Sequence, residues 1–295
     1  NIQVFDQPAN APLGSAKGVY PGRVVWIFNP DATNKNCTNA YGDGWFLTKN
    51  NNQTVIDQMV SLAIQNMTGT STNTGAWDAI FRYYNQNHGK GSVTYASGEK
   101  ILIKINATSG WAGNYSTSDL SKINNGYYDI AETSPQVVLS MLRQLVNVVG
   151  IAQSNIYVGD PMKHIYKHCY DLWHSEFPNV VYLDHDNYSN LGRVQVTKSA
   201  APLIYYSDKG TVLGSTVLSD QLYTVFQDVN YMINIPQLKG HARAGITLFA
   251  KNHLGSHCRD NANHMHPGLV APSGGNDVRP GAPLYRIQVD LMAHK

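Results

Sequence analysis

Residues 155–184 read NIYVGDPMKHIYKHCYDLWHSEFPNVVYLD, in which two short apolar runs flank a longer polar and aromatic segment. The runs NIYVGD and NVVYLD are typical of buried β-strands, and the segment from Pro161 to about Glu176 favours a helix. A strand, a helix and a second strand in this order predict two parallel strands joined by a crossover helix. The pattern therefore indicates an α/β fold.

The same alternation continues in both directions along the chain. Further strands are predicted at GRVVWIF, GEKILIKIN and NYMINIP, and further helices at QTVIDQMVSLAIQNMTG, AWDAIFRYYNQ and SPQVVLSMLRQLVNVVG. The last of these helices begins with Ser134 as its N-cap and Pro135 in its first turn. We therefore expect a mostly parallel sheet with helices on both faces.

Changes in this pattern predict the domain boundaries. Residues 1–22 are rich in Pro, Gly, Ala and Asn and predict an extended N-terminal arm with a short strand at Ile2–Phe5. Residues 23–295 are expected to form a single α/β domain. Within it, short alternating segments at about residues 193–217 predict a β-ribbon insertion, and the segment from about residue 260 is loop-rich until a final strand at LYRIQVDLM.

The composition argues against two classes of partner. Charged residues make up 14% of the 295 residues, against roughly a quarter in an average soluble domain, and the net charge is +2. This balance gives no electrostatic reason to expect binding to nucleic acid or to an acidic membrane surface. No apolar run approaches the roughly 18 residues of a membrane span, so we expect none.

Other features predict a location outside the cytoplasm, extracellular or periplasmic. The chain begins at Asn1 without a methionine or an apolar leader, as a mature secreted protein would. Its low charge is compensated by Asn, Ser, Thr and 18 Tyr. Six sequons make it a candidate glycoprotein. They begin at Asn36, Asn52, Asn66, Asn106, Asn114 and Asn187.

Polar side chains follow the predicted strands at the sheet edge where α/β proteins bind ligands. Lys104 lies within the apolar run ILIKI, so its ammonium must either reach water or meet a partner. Asn106 follows the same strand. Asp160 is a candidate general base, although an Asp before Pro161 is also a good helix N-cap.

The most informative stretch for function is QLKGHARAGITLFAKNHLGSHC, residues 237–258. The spacing of its apolar residues predicts one helix over Ala242–Leu254. Lys239, His241 and Arg243 then crowd the helix N-terminus, which already carries a partial positive charge. A bound anion would make these contacts favourable; an internal carboxylate such as Asp160 could do the same.

Histidines and cysteines raise a metal question that the sequence leaves open. Two segments, HIYKHC and HLGSHC, contain paired histidines next to Cys169 and Cys258. A Cys169–Cys258 disulfide and ordinary hydrogen-bonded histidines are alternatives. No GxGxxG, GxxxxGK[ST] or GxSxG motif is present, which argues against familiar nucleotide enzymes and α/β-hydrolases. The candidate metal ligands are His253, His257, His264 and His266.

Several segments together resemble the domain of unknown function 362 family, particularly its secreted bacterial branch. They are PGRVVWIFNPDAT, GEKILIKIN, NIYVGD, INIPQLKGHARAGITLFAKNHLGSH and VDLMAHK, and they extend from about residue 21 to residue 295. The resemblance implies a Rossmann-like α/β fold. Members of the family usually continue well past the segment that corresponds to LMAHK, which ends here at Lys295. It supplies no reaction and no cofactor; the three cysteines form no cluster for the ferredoxin-like modules of some relatives. The motif positions carry Lys104, Asn106, Asp160, Lys239, His241, Lys251 and Asn252.

Two functional hypotheses of different class follow. In the first, the protein binds a small anionic ligand, and whether it also processes that ligand is left open: Asp160 and His241 are the catalytic candidates, and the ligand-binding candidates are Lys104, Asn106, Lys239, Arg243, Lys251 and Asn252. In the second, the protein is a structural subunit of an extracellular filament or sheath, assembled by strand addition through the Asn1–Gly22 arm and the C-terminal strand.

Overall fold

The computed structural model describes residues 15–111, 113–205, 219–241 and 245–258. These residues form two compact units. The described residues of the smaller unit fall within Asn1–Phe28 and Met59–Tyr95, and those of the larger unit within Asn29–Gln58 and Ala96–Lys295.

The larger unit is built on a five-stranded parallel sheet. Its strands are β1 (Ile101–Ile105), β2 (Ile156–Gly159), β3 (Val181–Asp184), β4 (Val194–Gln195) and β7 (Tyr231–Ile235). Their order across the sheet is β4-β3-β2-β1-β7, and every neighbouring pair is parallel. With helices around the sheet, this is a Rossmann-like α/β fold, which confirms the predicted fold class.

The remaining elements are helices and short antiparallel strands. The helices are α1 (Gln53–Thr68), α2 (Asn73–Asn87), α3 (Pro135–Arg143), α4 (Lys167–His174), α5 (Val225–Asp228) and α6 (Phe249–Asn252). The two strand pairs are β5 (Ile204–Tyr205) with β6 (Ser219–Asp220), and β8 (Lys239–His241) with β9 (Gly245–Thr247).

Strand β1 lies at the centre of the core and carries one charged residue, Lys104. All five of its residues are buried, because β2 and β7 flank it on both edges. Parallel strands covered on both faces are expected to be continuously apolar, and ILIKI departs from this rule only at Lys104. The register places Lys104 beside Gly159 of β2 and Asn234 of β7. A charged side chain is thereby fixed at the carboxyl end of the sheet.

The caps predicted for α3 are present. The Ser134 side chain accepts a hydrogen bond from the Val137 N–H, and Pro135 occupies the first turn. The helix continues as a π-helical turn over Gln144–Val148. In the smaller unit, α2 buries Trp77 and Phe81 on one face, with ring centroids 5.7 Å apart.

Two predicted strands have a different structure. GRVVWIF forms no strand; Val24, Trp26 and Phe28 lie in an extended segment with exposures of 90%, 78% and 73%. In the predicted ribbon at residues 193–217, Val194–Gln195 instead joins the main sheet as its parallel edge strand. Only β5 and β6 pair as an antiparallel ribbon in the part of this region that the structure describes.

The crossover helix is shorter than predicted. It begins at Lys167, whereas the sequence placed its start at Pro161. The intervening backbone is held by other partners: the His164 N–H donates to the Gly110 carbonyl, and the Ile165 N–H donates to the Asp184 carboxylate at 3.2 Å. These contacts compete with the hydrogen bonds of a first helical turn.

Several predictions lie outside the described residues. They concern the arm over residues 1–14, the ribbon segment over residues 206–218, the strand at LYRIQVDLM, and the side chains of Arg243, His264 and His266. The extent of a single domain over residues 23–295 stays a prediction. Within the described ranges, no helix combines the length and the apolar character that crossing a membrane requires.

Candidate functional site

The carboxyl ends of β1, β2 and β7 bring several of the predicted site residues together. Lys104 lies near the end of β1, Asp160 directly follows β2, and Asn234 occupies the matching position on β7. Because the strands are parallel and adjacent, their polar residues meet at one edge of the sheet.

Lys104 is fully buried and bound to protein groups. Its Nζ donates to Asp160 Oδ1 at 2.9 Å, to the Ile105 carbonyl at 2.7 Å and to Asn252 Oδ1 at 3.5 Å. Burial lowers the pKa of Lys104, and the charge of Asp160 opposes that shift. The ammonium therefore meets a partner and does not reach water.

Asp160 is held from two sides. Oδ1 accepts from Lys104, and Oδ2 accepts from the Ala107 N–H at 3.1 Å. The backbone of Gly255 approaches so closely that a Cβ there would lie 1.8 Å from Asp160 Oδ1. Asp160 does not cap α4, which begins seven residues later in the chain. Its carboxylate instead organises the sheet edge.

The predicted helix over Ala242–Leu254 is wrong. Lys239–His241 and Gly245–Thr247 form an antiparallel hairpin, and only the four residues of α6 are α-helical, followed by a 3-10 turn at His253–Gly255. The β-branched Ile246 and Thr247 favour this extended structure. Lys239 therefore lies on a strand and not at the N-terminus of the predicted helix.

A cavity of about 680 Å³ opens beside the Lys104–Asp160 pair. It extends to the β8–β9 hairpin and to α6. Asn106, Asp160, Lys239, His241, Lys251 and Asn252, all predicted as site residues, line it. The remaining lining residues are Thr108, Asp129, Ile130, Ala131, Met162, Lys163, Pro236, Gln237, Gly240, Thr247, Leu248, Leu254 and Gly255.

Lys239 is anchored in the cavity wall by three oxygen acceptors. Its Nζ donates to Asn106 Oδ1 at 3.1 Å, to Thr108 Oγ1 at 3.0 Å and to the Ala131 carbonyl at 2.6 Å. An ammonium has three protons to donate, so these bonds occupy all of them. Lys239 consequently contributes a fixed positive charge, although burial lowers its pKa.

Two further lysines have no acceptor in the described part of the chain. Lys163 Nζ lies 3.9 Å from the centroid of the Trp111 ring, in cation–π geometry. The ammonium of Lys251, on α6, makes neither a hydrogen bond nor an ion pair with any described residue. Burial, with the charges of Lys239 and Lys163, lowers the pKa of Lys251 to about 8.

Asn252 links α6 to the sheet. Its Nδ2 donates to Asn234 Oδ1 at 2.6 Å and to the Lys104 carbonyl at 3.2 Å. His253 extends this network, with Nε2 3.3 Å from Asn234 Nδ2. Burial, with the charge of Lys104, lowers the pKa of His253 to about 4, so its ring is neutral at pH 7. The network fixes the position of α6 and hence of Lys251.

The structure describes only part of the predicted histidine and cysteine clusters. No group of three or more His, Cys, Asp or Glu residues is arranged to hold a metal ion within the described ranges. His253 and His257 are both buried there. All three cysteines are thiols, so the Cys169–Cys258 disulfide is not formed.

Sequence reasoning missed several charged residues of this region. Lys163, which lines the cavity, follows Asp160 by three residues. Its position shortly after the end of a strand was the only sequence feature that could have marked it as a site residue. A second buried pair joins Lys122 to Glu132 at 3.2 Å, and Glu132 also accepts from the Ser109 N–H. Its residues lie in long loops, where no periodicity marks them.

The comparison with protein families gives one match. The model of the family described as Domain of unknown function (DUF362) matches residues 101–270, more than half of the chain. This range begins at β1 and contains every cavity-lining residue. No curated protein and no solved structure matches the chain.

Proposed function

The chain belongs to the DUF362 family, and from this premise we propose that it binds a small organic anion in the cavity beside Lys104 and Asp160. The family description names no reaction, so the proposal rests on the residues of the site.

The charge balance of the cavity is the observation that carries the proposal. Lys163, Lys239 and Lys251 line it, and Asp160, the buried carboxylate of its wall, is already bound to Lys104. Asp129 lies at an exposed position. The three lysines therefore leave an excess of positive charge in a partly desolvated space, where an anion is strongly favoured.

The walls favour an organic anion over an inorganic one. Ile130, Met162, Leu248 and Leu254 contribute apolar surface next to the lysines. A volume of about 680 Å³ is also within the range of small-molecule sites. A compact acid with a carboxylate at one end and an apolar or carbonyl-bearing portion at the other fits both features.

Titration calorimetry at low ionic strength tests this proposal. Pyruvate, malonate and phosphate are the probes, and the variants are Lys163→Met and Lys251→Met. Each variant is expected to raise the Kd of the carboxylates about tenfold, because each removes one partly desolvated charge. Lys35→Met is the control, since Lys35 is exposed in the same unit. The proposal is refuted if none of the three probes binds, or if all variants bind the probes with the same affinity as the unmodified chain.

Within this proposal, Asp160 and His241 are the candidates for proton transfer. Both line the cavity. Asp160 is bound through both oxygens, so a role in proton transfer requires one of these bonds to open. Arg243 completes the ligand-binding candidates but lies outside the described residues.

Self-assembly is a second proposal, and the segment Arg23–Phe28 is the observation that favours it. The segment is extended, and its exposed Val24, Trp26 and Phe28 alternate as the residues of a strand do. Such a segment can add to the sheet edge of another copy. Light scattering of the native chain and of Trp26→Ser tests this: oligomers of the native chain that dissociate in the variant support assembly, and a monomer in both cases contradicts it.

We also propose that the protein is secreted and glycosylated. The asparagines of four sequons, Asn36, Asn52, Asn66 and Asn187, are exposed. Intact mass of material isolated from its source, before and after glycosidase treatment, tests the proposal. If glycosidase treatment leaves the intact mass of the chain unchanged, glycosylation is contradicted.

A further inference from the structure

The three cavity lysines differ in how the protein holds them. Lys239 is fixed by three oxygen acceptors, and Lys163 stacks on Trp111. Lys251 lines the same cavity, and its side-chain amine has no hydrogen bond or ion pair to any described residue. Two of the amines are therefore positioned as fixed charges, whereas the third can react with a ligand.

Building on the proposed function, we propose that the bound organic anion carries a carbonyl group and that Lys251 forms an imine with it. In this arrangement the charges of Lys163 and Lys239 attract the carboxylate without a hydrogen bond from Lys239, and the carbonyl group lies on the side of Lys251. The ligand class is thus a 2-oxo acid or a close analogue, in which the carboxylate and the carbonyl are neighbours.

The reaction is balanced without a further reagent. The neutral Lys251 amine attacks the carbonyl carbon and gives a carbinolamine after a proton passes from nitrogen to oxygen. Loss of water, formed from the carbonyl oxygen and the two amine protons, then gives the imine. The lone pair that a neutral amine must offer is not occupied by any described residue.

The electrostatic environment supports this role. Ordinary lysines are almost fully protonated at neutral pH, which prevents attack. The pKa of Lys251 is lowered to about 8 by burial and by Lys239 and Lys163. At pH 7.5 about a quarter of the Lys251 amine is then neutral, against about one in a thousand for an unperturbed lysine. A neighbouring cation in a desolvated pocket is an established way to activate an amine.

Reductive trapping tests the inference on the full chain. The protein is incubated with pyruvate and sodium borohydride at pH 7.5, digested, and mapped by mass spectrometry. An imine reduced in place adds about 72 Da, which is pyruvate less water plus two hydrogens. We expect the addition at Lys251, at least tenfold above that at Lys35, and its loss in Lys251→Arg but not in Lys35→Arg. Acetone, which has the carbonyl but no carboxylate, is expected to trap at least tenfold less.

The possible outcomes separate this inference from the proposed function. If pyruvate binds by calorimetry but the adduct is absent from Lys251 or spread evenly over exposed lysines, the imine is refuted and the anion site remains. If pyruvate and the other anions do not bind and no adduct forms, both the imine and the anion site are refuted. Since the decisive measurement uses the unmodified chain, poor folding of Lys251→Arg cannot produce a false result.

Discussion

Lys104 and Asp160 lie at the carboxyl ends of neighbouring parallel strands and form a buried ion pair, with 2.9 Å between Nζ and Oδ1. The pair connects β1, β2 and, through Asn252, α6. It therefore fixes the floor of the cavity on which the proposed ligand would lie.

Breaking this pair should destabilise the protein. Lys104→Met leaves the Asp160 carboxylate buried without its cation and is expected to lower the free energy of unfolding by about 3–5 kcal/mol. The double variant Lys104→Met with Asp160→Leu should recover much of this loss, because no uncompensated charge remains. Urea unfolding measures both.

The control for this prediction is the exposed pair Lys49–Asp43, at 3.1 Å. Lys49→Met should cost much less than Lys104→Met, since solvent screens that pair. Equal losses in Lys104→Met and Lys49→Met would contradict the structural role of the buried pair.

Gly255→Ala should also disrupt the cavity floor formed by Lys104 and Asp160, in this case by a steric clash. Its Cβ would lie 1.8 Å from Asp160 Oδ1 and 3.2 Å from Lys104 Nζ, so the pair must move or α6 must shift. We expect a loss of unfolding free energy of about 3 kcal/mol or more, within the range of severe overpacking.

Gly42→Ala separates this clash from simple backbone strain. Gly42 has a φ of +84°, but a Cβ there meets no atom within 4 Å. It should cost only about 1 kcal/mol from the left-handed backbone. If Gly255→Ala is the milder of the two in thermal or urea unfolding, the close approach of Gly255 to Asp160 is not rigid.

The affinity for carboxylates should fall as the pH rises through about 8. Below that pH Lys251 is charged in the free protein; above it the ammonium is lost, because its pKa is lowered to about 8. The Kd of malonate is therefore expected to rise up to about tenfold per pH unit above pH 8. Lys251→Arg should flatten the profile, since arginine stays protonated. A profile that is flat in the unmodified protein would contradict the role of Lys251.

His253 should make stability depend on acidic pH. Burial lowers its pKa from 6.5 to about 4 in the folded state, so the unfolded chain binds the proton more readily. Its contribution to stability is present above pH 6.5 and is lost progressively between pH 6.5 and 4, by at most about 1.4 kcal/mol per pH unit. His168, whose pKa is lowered to about 3 by desolvation, acts in the same direction.

Replacing His253 tests this assignment. In urea unfolding between pH 7 and 4, His253→Gln should reduce the slope of stability against pH. His88→Gln, a substitution at an exposed position, is the control. Identical slopes in the unmodified chain and in His253→Gln would show that His253 is not the responsible group.

Periodicity predicted the sheet well because its strands are locally encoded. ILIKI, IYVG and VYLD are apolar runs with clear boundaries, and Ser134 with Pro135 marks the start of α3. GRVVWIF has the same apolar character but finds no neighbouring strand, and strand formation depends on such a partner. Local sequence does not contain that information.

Several residues that line the cavity were predicted from the sequence, but their geometry was not. The polar ends of β1 and β2 identified Lys104, Asn106 and Asp160, which share one edge because the strands are parallel. The hairpin at Lys239–Thr247 was missed, since three- and four-residue spacing of apolar residues fits a helix even where β-branched residues pair across strands. Lys163 was missed because its place in the segment after β2 does not by itself show that its side chain lines the cavity.

Locating a bound carboxylate directly is the decisive measurement for the anion site. Crystals of the protein soaked with 3-bromopropionate, and measured at the bromine absorption edge, show the ligand as an anomalous peak. We expect a peak inside the cavity, with the carboxylate within hydrogen-bonding distance of Lys163 or Lys251, and a weaker peak there in Lys251→Met crystals soaked at the same concentration. An empty cavity, with bromine bound only elsewhere on the surface, would contradict it.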